Sequence, residues 1–191
     1  MYWIVAAAAP CTIFAALVLA TRLARGAWPD LALLGQPDYL PPLGILPTLL
    51  LWTITFGVGE EVGWRGFALP RLQAGRSAFS ASMLLGAFWA AWHLPALFYR
   101  DTYVEMGLLV VPMLITVAAV GSTVYTWMYN GTRGSLLALA VFHGLFDFFS
   151  VWPAGVIGPG MVMTVLMVFW AVRVYKLHGP TTLAPTGKVS I

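Results

Sequence analysis

The chain has 191 residues, of which 60% are hydrophobic and only 9% are charged. A soluble globular domain carries roughly a quarter charged residues, so the composition excludes an ordinary soluble protein and indicates a membrane protein. The ten Lys and Arg residues form no basic cluster that would indicate a nucleic-acid partner, and the single Cys11 excludes an internal disulfide and a thiolate metal site.

Six apolar runs approach the length of about 20 residues that a helix needs to cross a bilayer. They cover residues 1–20, 43–58, 78–99, 107–129, 135–151 and 156–175. No basic segment precedes the first run, which predicts a membrane anchor rather than a cleaved signal peptide. Pro70 marks the expected end of the second helix.

These runs predict an all-α polytopic membrane helix bundle of about six transmembrane helices, with a site inside the bundle. We expect a single bundle over residues 1–177, a core region at about 43–152, and a disordered tail at 178–191, where two prolines and two glycines occur.

Loop charges predict the orientation. Six crossings place both termini on one side, and basic residues favour the cytoplasmic side. Seven fall on the side of the termini and three on the other. We therefore predict an integral protein of the cell membrane with both termini in the cytoplasm. The seven are Arg65, Arg71, Arg76, Arg133, Arg173, Lys176 and Lys188.

Five acidic or histidine residues lie within or at the end of apolar runs, namely Glu60, Glu61, His93, His143 and Asp147. Ionisable groups inside a membrane are candidates for function by default, because burying them is costly. At a rise of about 1.5 Å per residue they lie roughly 14–21 Å from the predicted cytoplasmic ends of three helices. We therefore predict one common site. The other acids fall in predicted loops and are expected to be solvated: Asp30, Asp38, Asp101 and Glu105.

Helical spacing separates the two glutamates. Glu61 and Arg65 are four residues apart, so they share a helix face and can form an ion pair. Glu60 lies about 100° further round and is directed away from Arg65. We expect Glu61 to be structural and Glu60 to be chemical. His143 and Asp147 are also four residues apart, which allows the carboxylate to orient the imidazole.

The predicted helix that carries the two glutamates contains several glycines. Gly59 and Gly63 have the small-xxx-small spacing that lets a neighbouring helix approach closely. Their missing side chains also leave space for water beside Glu60. Both interpretations stay open at this point.

Three motifs occur in order: Glu60–Arg65 fits EExxxR, Trp89–His93 fits aromatic-xxx-His, and His143–Asp147 fits HxxxN/D. With this spacing the sequence resembles the CPBP family of intramembrane endopeptidases, which includes type II CAAX prenyl proteases and bacteriocin-processing or immunity proteins. The resemblance implies a glutamate-type protease with a site that opens to the cytosolic face. It also implies eight membrane helices, two more than the apolar runs.

The resemblance implies a role for each motif residue. Glu60 is the expected general base for a water molecule, His93 binds and polarises that water, and His143 with residue 147 stabilises the oxyanion. Glu61 and Arg65 give structural support, and Trp64 and Trp89 are expected to line the substrate site. Trp89 replaces the more usual phenylalanine of the family. The expected partners are the lipid bilayer and a peptide or protein substrate, with lipidated or membrane-anchored substrates among the options.

The chemistry of the motifs agrees with activated water. They pair no hydroxyl or thiol with a base, which disfavours an acyl-enzyme. A carboxylate can act as a general base, and hydrolysis also needs a donor for the developing oxyanion.

Asp147 stands where prenyl proteases usually have Asn. An amide can donate a hydrogen bond to an oxyanion, whereas an ionised carboxylate cannot. Asp147 is therefore either protonated, or an orienting group for His143, or part of a metal site with Glu60, His93 and His143. No cofactor is expected, but two histidines and a carboxylate make zinc the main alternative.

Two other functions compete with proteolysis. One is a catalytically silent bacteriocin-immunity or binding protein on the same scaffold. The other is a transporter that uses the polar cluster as an ion or proton relay. Inverted repeats would favour a transporter, and the sequence has none.

Overall fold

The computed structural model describes residues 1–37, 40–155 and 158–191, without the side chain of Thr102. The predicted loop position of Asp38 and the predicted start of the last run at Val156 lie outside these residues. The described residues form helices, turns and loops, and no β-strand occurs among them. The all-α prediction is confirmed.

Seven α-helices occur in the described part of the chain. They are α1 (Tyr2–Arg25), α2 (Ile45–Ala74), α3 (Ala78–His93), α4 (Asp101–Met106), α5 (Val110–Gly131), α6 (Leu136–Ser150) and α7 (Pro159–Thr182). Short 3-10 segments occupy Leu31–Leu33, Leu94–Phe98 and Gly107–Leu109. Each predicted apolar run overlaps one apolar helix. The short helix α4 lies in the predicted loop that carries Asp101 and Glu105.

Five helical segments are long and apolar enough to cross a membrane. They are built on α1, α2, α3, α5 and α7. Helix α6 is apolar but has only 15 residues, so it is about 22 Å long, against a hydrocarbon core of about 30 Å. The helical membrane fold is confirmed, and its shortest apolar helix carries His143 and Asp147.

Helix α2 is π-helical over Thr53–Glu60 and Val62–Ala68. In a π-helix the backbone bonds run from residue i to i+5, an arrangement that is often found at functional sites. The predicted helix end at Pro70 is wrong, because an α-helical segment begins at Leu69 and continues to Ala74. Proline is tolerated there because its missing N–H falls in the first turn of that segment.

The chain divides into two compact units. The first contains Met1–Glu60 and Leu137–Leu166, and the second contains Glu61–Leu136 and Met167–Ile191.

An aromatic core holds the first unit together. Its buried members are Leu34, Trp52, Phe148, Phe149, Trp152 and Met163. Phe14 of α1 stacks on Phe149 with ring centroids 4.4 Å apart. Trp152 Nε1 donates to the backbone carbonyl of Asp30 at 3.0 Å, and Asp30 caps the first 3-10 segment by accepting from Ala32 N. These contacts fix the C-terminal end of α6 against the loop after α1.

Close packing of α3 against α5 organises the second unit. A Cβ on Gly86 would lie 2.8 Å from the Cα of Ala119, so the two backbones meet where Gly86 lacks a side chain. Every residue of α5 from 121 to 130 is buried. Ser82 donates to Thr126 at 2.8 Å across the same interface.

The C-terminal segment differs from the predicted disordered tail. Helix α7 continues to Thr182, with a break at Gly179, and Leu183 is fully buried. Gln73 and Asn130 exchange side-chain hydrogen bonds of 3.1 and 2.8 Å, and each also bonds to the C-terminal segment. Val189 takes part in both of these bonds. Composition alone predicts disorder because it does not reveal this buried amide pair. The hydrogen bonds of the pair offset the cost of removing both side chains from water.

Candidate functional site

In the first unit, α2 and α6 approach at two points. A Cβ on Gly57 would lie 2.5 Å from the carbonyl oxygen of Ala140, and one on Gly144 would lie 2.5 Å from Oγ1 of Thr53. Residue numbers rise along one helix as they fall along the other, so the helices are antiparallel. Both glycines are needed at this contact because any side chain would collide with the neighbouring helix.

This contact brings together the two helices that carry Glu60 and His143. Glu60 follows Gly57 by three residues, and His143 follows Ala140 by three residues. Side chains on a helix tilt toward its N-terminus. Because the two helices are antiparallel, Glu60 and His143 lie on opposite sides of the Gly57–Ala140 contact, and each side chain tilts back toward it.

His143 and Asp147 form the second element of the site. His143 Nε2 lies 3.4 Å from Asp147 Oδ2, with exposed side-chain fractions of 3% and 32%. This separation exceeds the roughly 2.7–3.2 Å of a good hydrogen bond to nitrogen. Asp147 nevertheless lies close enough to orient His143, and its partial exposure leaves it accessible to a ligand or to water.

In the second unit, Glu61 and Arg65 form the predicted ion pair. Arg65 Nη1 donates to Glu61 Oε1 at 2.8 Å, and both side chains are fully buried. The guanidinium also contacts two aromatic rings, with its central carbon 4.5 Å from the centroid of the Trp89 ring and 4.3 Å from that of the Tyr125 ring. A desolvated cation–π contact stabilises by about 2 kcal/mol or more.

His93 lies at the C-terminal end of α3. Its Nδ1 is 2.7 Å from the backbone carbonyl of Trp89. Since a carbonyl only accepts, Nδ1 carries the proton, and the neutral ring presents a lone pair at Nε2. The backbone then tightens into the 3-10 segment Leu94–Phe98, whose Pro95 has no N–H to continue the α-helix.

The two predicted lining tryptophans differ in their surroundings. Trp64 packs edge-on against exposed Trp92 at 6.4 Å. Trp89 is only 8% exposed and contacts Arg65, Tyr125 and His93. A lining role for Trp64 remains a prediction, whereas the burial of Trp89 favours a supporting role.

The small-xxx-small pair of Gly59 and Gly63 makes no close contact with another helix among the described residues. A Cβ on Gly63 would have no described atom within 4 Å, and one on Gly59 would meet only the backbone oxygen of Ile54 at 3.7 Å. The close approach occurs at Gly57. Tyr125, which stacks on Arg65, was missed because no motif spacing marks it.

A metal site is not assembled within the described residues. No group of three His, Cys, Asp or Glu side chains there is placed to hold a metal ion. A zinc site needs three or four ligands, and the His143–Asp147 pair supplies two.

A comparison with known families identifies the chain. The family model described as "Type II CAAX prenyl endopeptidase Rce1-like" matches residues 42–149, more than half of the chain. The chain belongs to this family. The matched region includes all four candidate catalytic residues: Glu60, His93, His143 and Asp147.

A curated relative supports the same family. CAAX prenyl protease 2 of Methanococcus maripaludis is 34% identical over 122 residues, which cover 58% of this chain. The chain spans 40% of the length of that relative. The predicted family resemblance is therefore confirmed at the level of the family.

Proposed function

We propose that this protein is an intramembrane endopeptidase that hydrolyses a peptide bond near the cytosolic face of the membrane. The observation that carries the proposal is the antiparallel contact at Gly57 and Ala140, which brings the helix of Glu60 against the helix of His143. Family membership supports the same activity. The positive-inside bias, which counts α6 as a sixth crossing, supports a cytoplasmic location for both termini.

The proposed reaction uses water as the nucleophile. Glu60 accepts a proton from the water as its oxygen adds to the carbonyl carbon of the substrate. His93 accepts a hydrogen bond from the same water through Nε2. The C–N bond then breaks, the proton passes to the leaving amine, and a carboxylate and an amine result.

The pair of His143 and Asp147 is proposed to stabilise the tetrahedral intermediate. His143 donates a hydrogen bond from a ring N–H to the oxyanion, and Asp147 orients the ring. This role needs no donor at position 147.

The proposed substrate is a peptide with a prenylated cysteine near its C-terminus. The name of the Methanococcus maripaludis relative, CAAX prenyl protease 2, supports this class. A prenyl chain buries apolar CH₂ groups in the bilayer, and this anchoring would bring the scissile bond to the membrane surface. A bacteriocin leader or another membrane-anchored peptide is the alternative substrate.

The test uses purified protein in liposomes and two synthetic peptides of one sequence. Each carries a cysteine followed by three residues, and only one is farnesylated. We expect mass spectrometry to show a new C-terminal fragment from the farnesylated peptide and little from the other. Equal cleavage of the two peptides would reject prenyl recognition. If neither of them is cleaved, and a membrane-anchored leader peptide is not cleaved either, the endopeptidase activity is rejected.

Metal analysis tests the zinc alternative. We expect the purified active protein to hold far less than one zinc per chain and to retain activity in a chelator. If the purified protein held one zinc per chain and the His93→Ala variant lost it, the metal-free mechanism would be wrong.

A further inference from the structure

We propose that Trp89 is a positioning residue that connects the buried Glu61–Arg65 ion pair to His93. This inference rests on the proposed function for the role of His93 in the reaction. It replaces the substrate-lining role that the sequence predicts for Trp89. All the residues involved belong to the second unit.

Arg65 supplies the fixed end of this connection. Its side chain is fully buried, and one hydrogen bond joins it to Glu61. The Nε and Nη2 atoms have no hydrogen-bond partner among the described residues. The flat guanidinium instead lies against the rings of Trp89 and Tyr125. Lysine has the same charge but no planar group that can stack in this way.

The indole of Trp89 is held from several directions. Arg65 lies over its ring, and Tyr125 packs edge-on at 5.5 Å. On α5, a Cβ at Gly121 would lie 3.3 Å from Cζ3 of the indole. The indole therefore has little room to change rotamer, which suits a support better than a substrate-contacting side chain.

Trp89 contacts His93 in two ways. Its backbone carbonyl accepts from Nδ1 at 2.7 Å, and its indole packs edge-on to the imidazole at 5.7 Å. The first contact selects the tautomer, and the second keeps the imidazole turned toward that carbonyl, so the tautomer depends on the indole as well. Together they hold the lone pair of Nε2 in one direction, as water activation requires.

The two possible roles of Trp89 predict different kinetics. A lining residue acts on substrate binding, so its loss changes KM and the preference among substrates. A positioning residue acts on the orientation of His93, so its loss lowers kcat and changes the state of the imidazole while KM stays nearly constant.

The test compares the wild type with Trp89→Phe and Trp89→Leu. Phenylalanine keeps a ring for Arg65 and His93, and leucine removes it. Trp127→Leu is the matched control, because Trp127 is equally buried and packs against Trp170 instead. We expect Trp89→Leu to lower kcat by about tenfold to a hundredfold, Trp89→Phe to retain most of it, and the control to match the wild type.

Nitrogen NMR of histidine-labelled protein gives a second measurement that needs no activity. The chain has three histidines, His93, His143 and His178, so single substitutions assign every signal. We expect the wild type to show His93 protonated at Nδ1 and Trp89→Leu to show a mixture of tautomers. Arg65→Lys is expected to shift the same signal in the same direction.

The outcomes separate the two proposals. Unchanged kcat and an unchanged His93 signal in Trp89→Leu would overturn the positioning role, as would a change in KM alone. A Trp89-dependent tautomer in a protein that cleaves no peptide would support positioning and reject the proposed function. Circular dichroism of each variant shows whether the helices are retained, and Trp89→Phe still tests the proposal if Trp89→Leu does not fold.

Discussion

Gly57 lies so close to Ala140 that a Cβ on the glycine would be 2.5 Å from the alanine carbonyl oxygen. Backbone atoms of Ala140 surround this point, and they cannot move aside as a flexible side chain can. The absence of one methyl group therefore allows the helix of Glu60 to approach the helix of His143.

Gly57→Ala is expected to lower the free energy of unfolding by about 1–3 kcal/mol, the usual effect of overpacking, and to reduce activity. Gly63→Ala is the matched control in the same helix, because its Cβ would meet no described atom within 4 Å. Helix propensity favours alanine over glycine by about 1 kcal/mol in both variants, so a lower stability of Gly57→Ala reports the overpacking. Denaturation in detergent micelles measures both variants, and equal stability of the two would contradict the assigned contact.

Composition predicts the helices of this protein well because each apolar run needs a helix in a membrane. The sequence does not predict where a helix continues through a proline. Pro70 predicts a helix end, but it lies in the first turn of the Leu69–Ala74 segment. The π-helical turns of α2 were also not predicted, because the hydrophobic pattern of the run does not distinguish i+4 from i+5 bonding.

The site was predictable in part. Four-residue spacing gave the Glu61–Arg65 ion pair and the proximity of His143 to Asp147, because such contacts depend only on local helix geometry. The support of Trp89 was not predictable in this way, because its neighbours on α5 are distant in the sequence.

Charge neutralisation inside the second unit predicts a non-additive effect. Arg65→Met leaves Glu61 buried without its cation, so we expect a loss of about 3–5 kcal/mol of stability. The double variant Glu61→Met/Arg65→Met removes both charges and is expected to lose less than Arg65→Met alone. Thermal or denaturant unfolding of the wild type, both single variants (Glu61→Met and Arg65→Met) and the double variant measures the coupling, and additive losses would contradict a buried ion pair.

Asp147 distinguishes two accounts of the His143 pair. Asp147→Asn is expected to keep activity within about tenfold of the wild type, because an amide oxygen can still accept from His143 and its nitrogen can donate. Asp147→Ala is expected to lose more. Steady-state cleavage of the farnesylated peptide measures both variants. A loss in Asp147→Asn as large as that in Asp147→Ala would show that the charge is required.

The docked C-terminal segment gives a prediction outside the site. Asn130→Ala removes the side-chain hydrogen bonds to Gln73, Thr182 and Val189. We expect faster amide hydrogen exchange in residues 183–189 and a stability loss of about 1–3 kcal/mol. Gln36→Ala is a suitable control, because that side chain bonds locally to Ala32 at the surface. Unchanged exchange in Asn130→Ala would contradict the docking.

The central claim is that Glu60 is the general base, and Glu60→Gln tests it most directly. The amide keeps the size of the side chain and removes the base, so we expect cleavage of the farnesylated peptide to fall by about 10²–10⁴-fold. Circular dichroism should show the helix content of the wild type. Glu105→Gln makes the same change at an exposed position and should cleave normally. Wild-type cleavage by a folded Glu60→Gln protein would contradict the account.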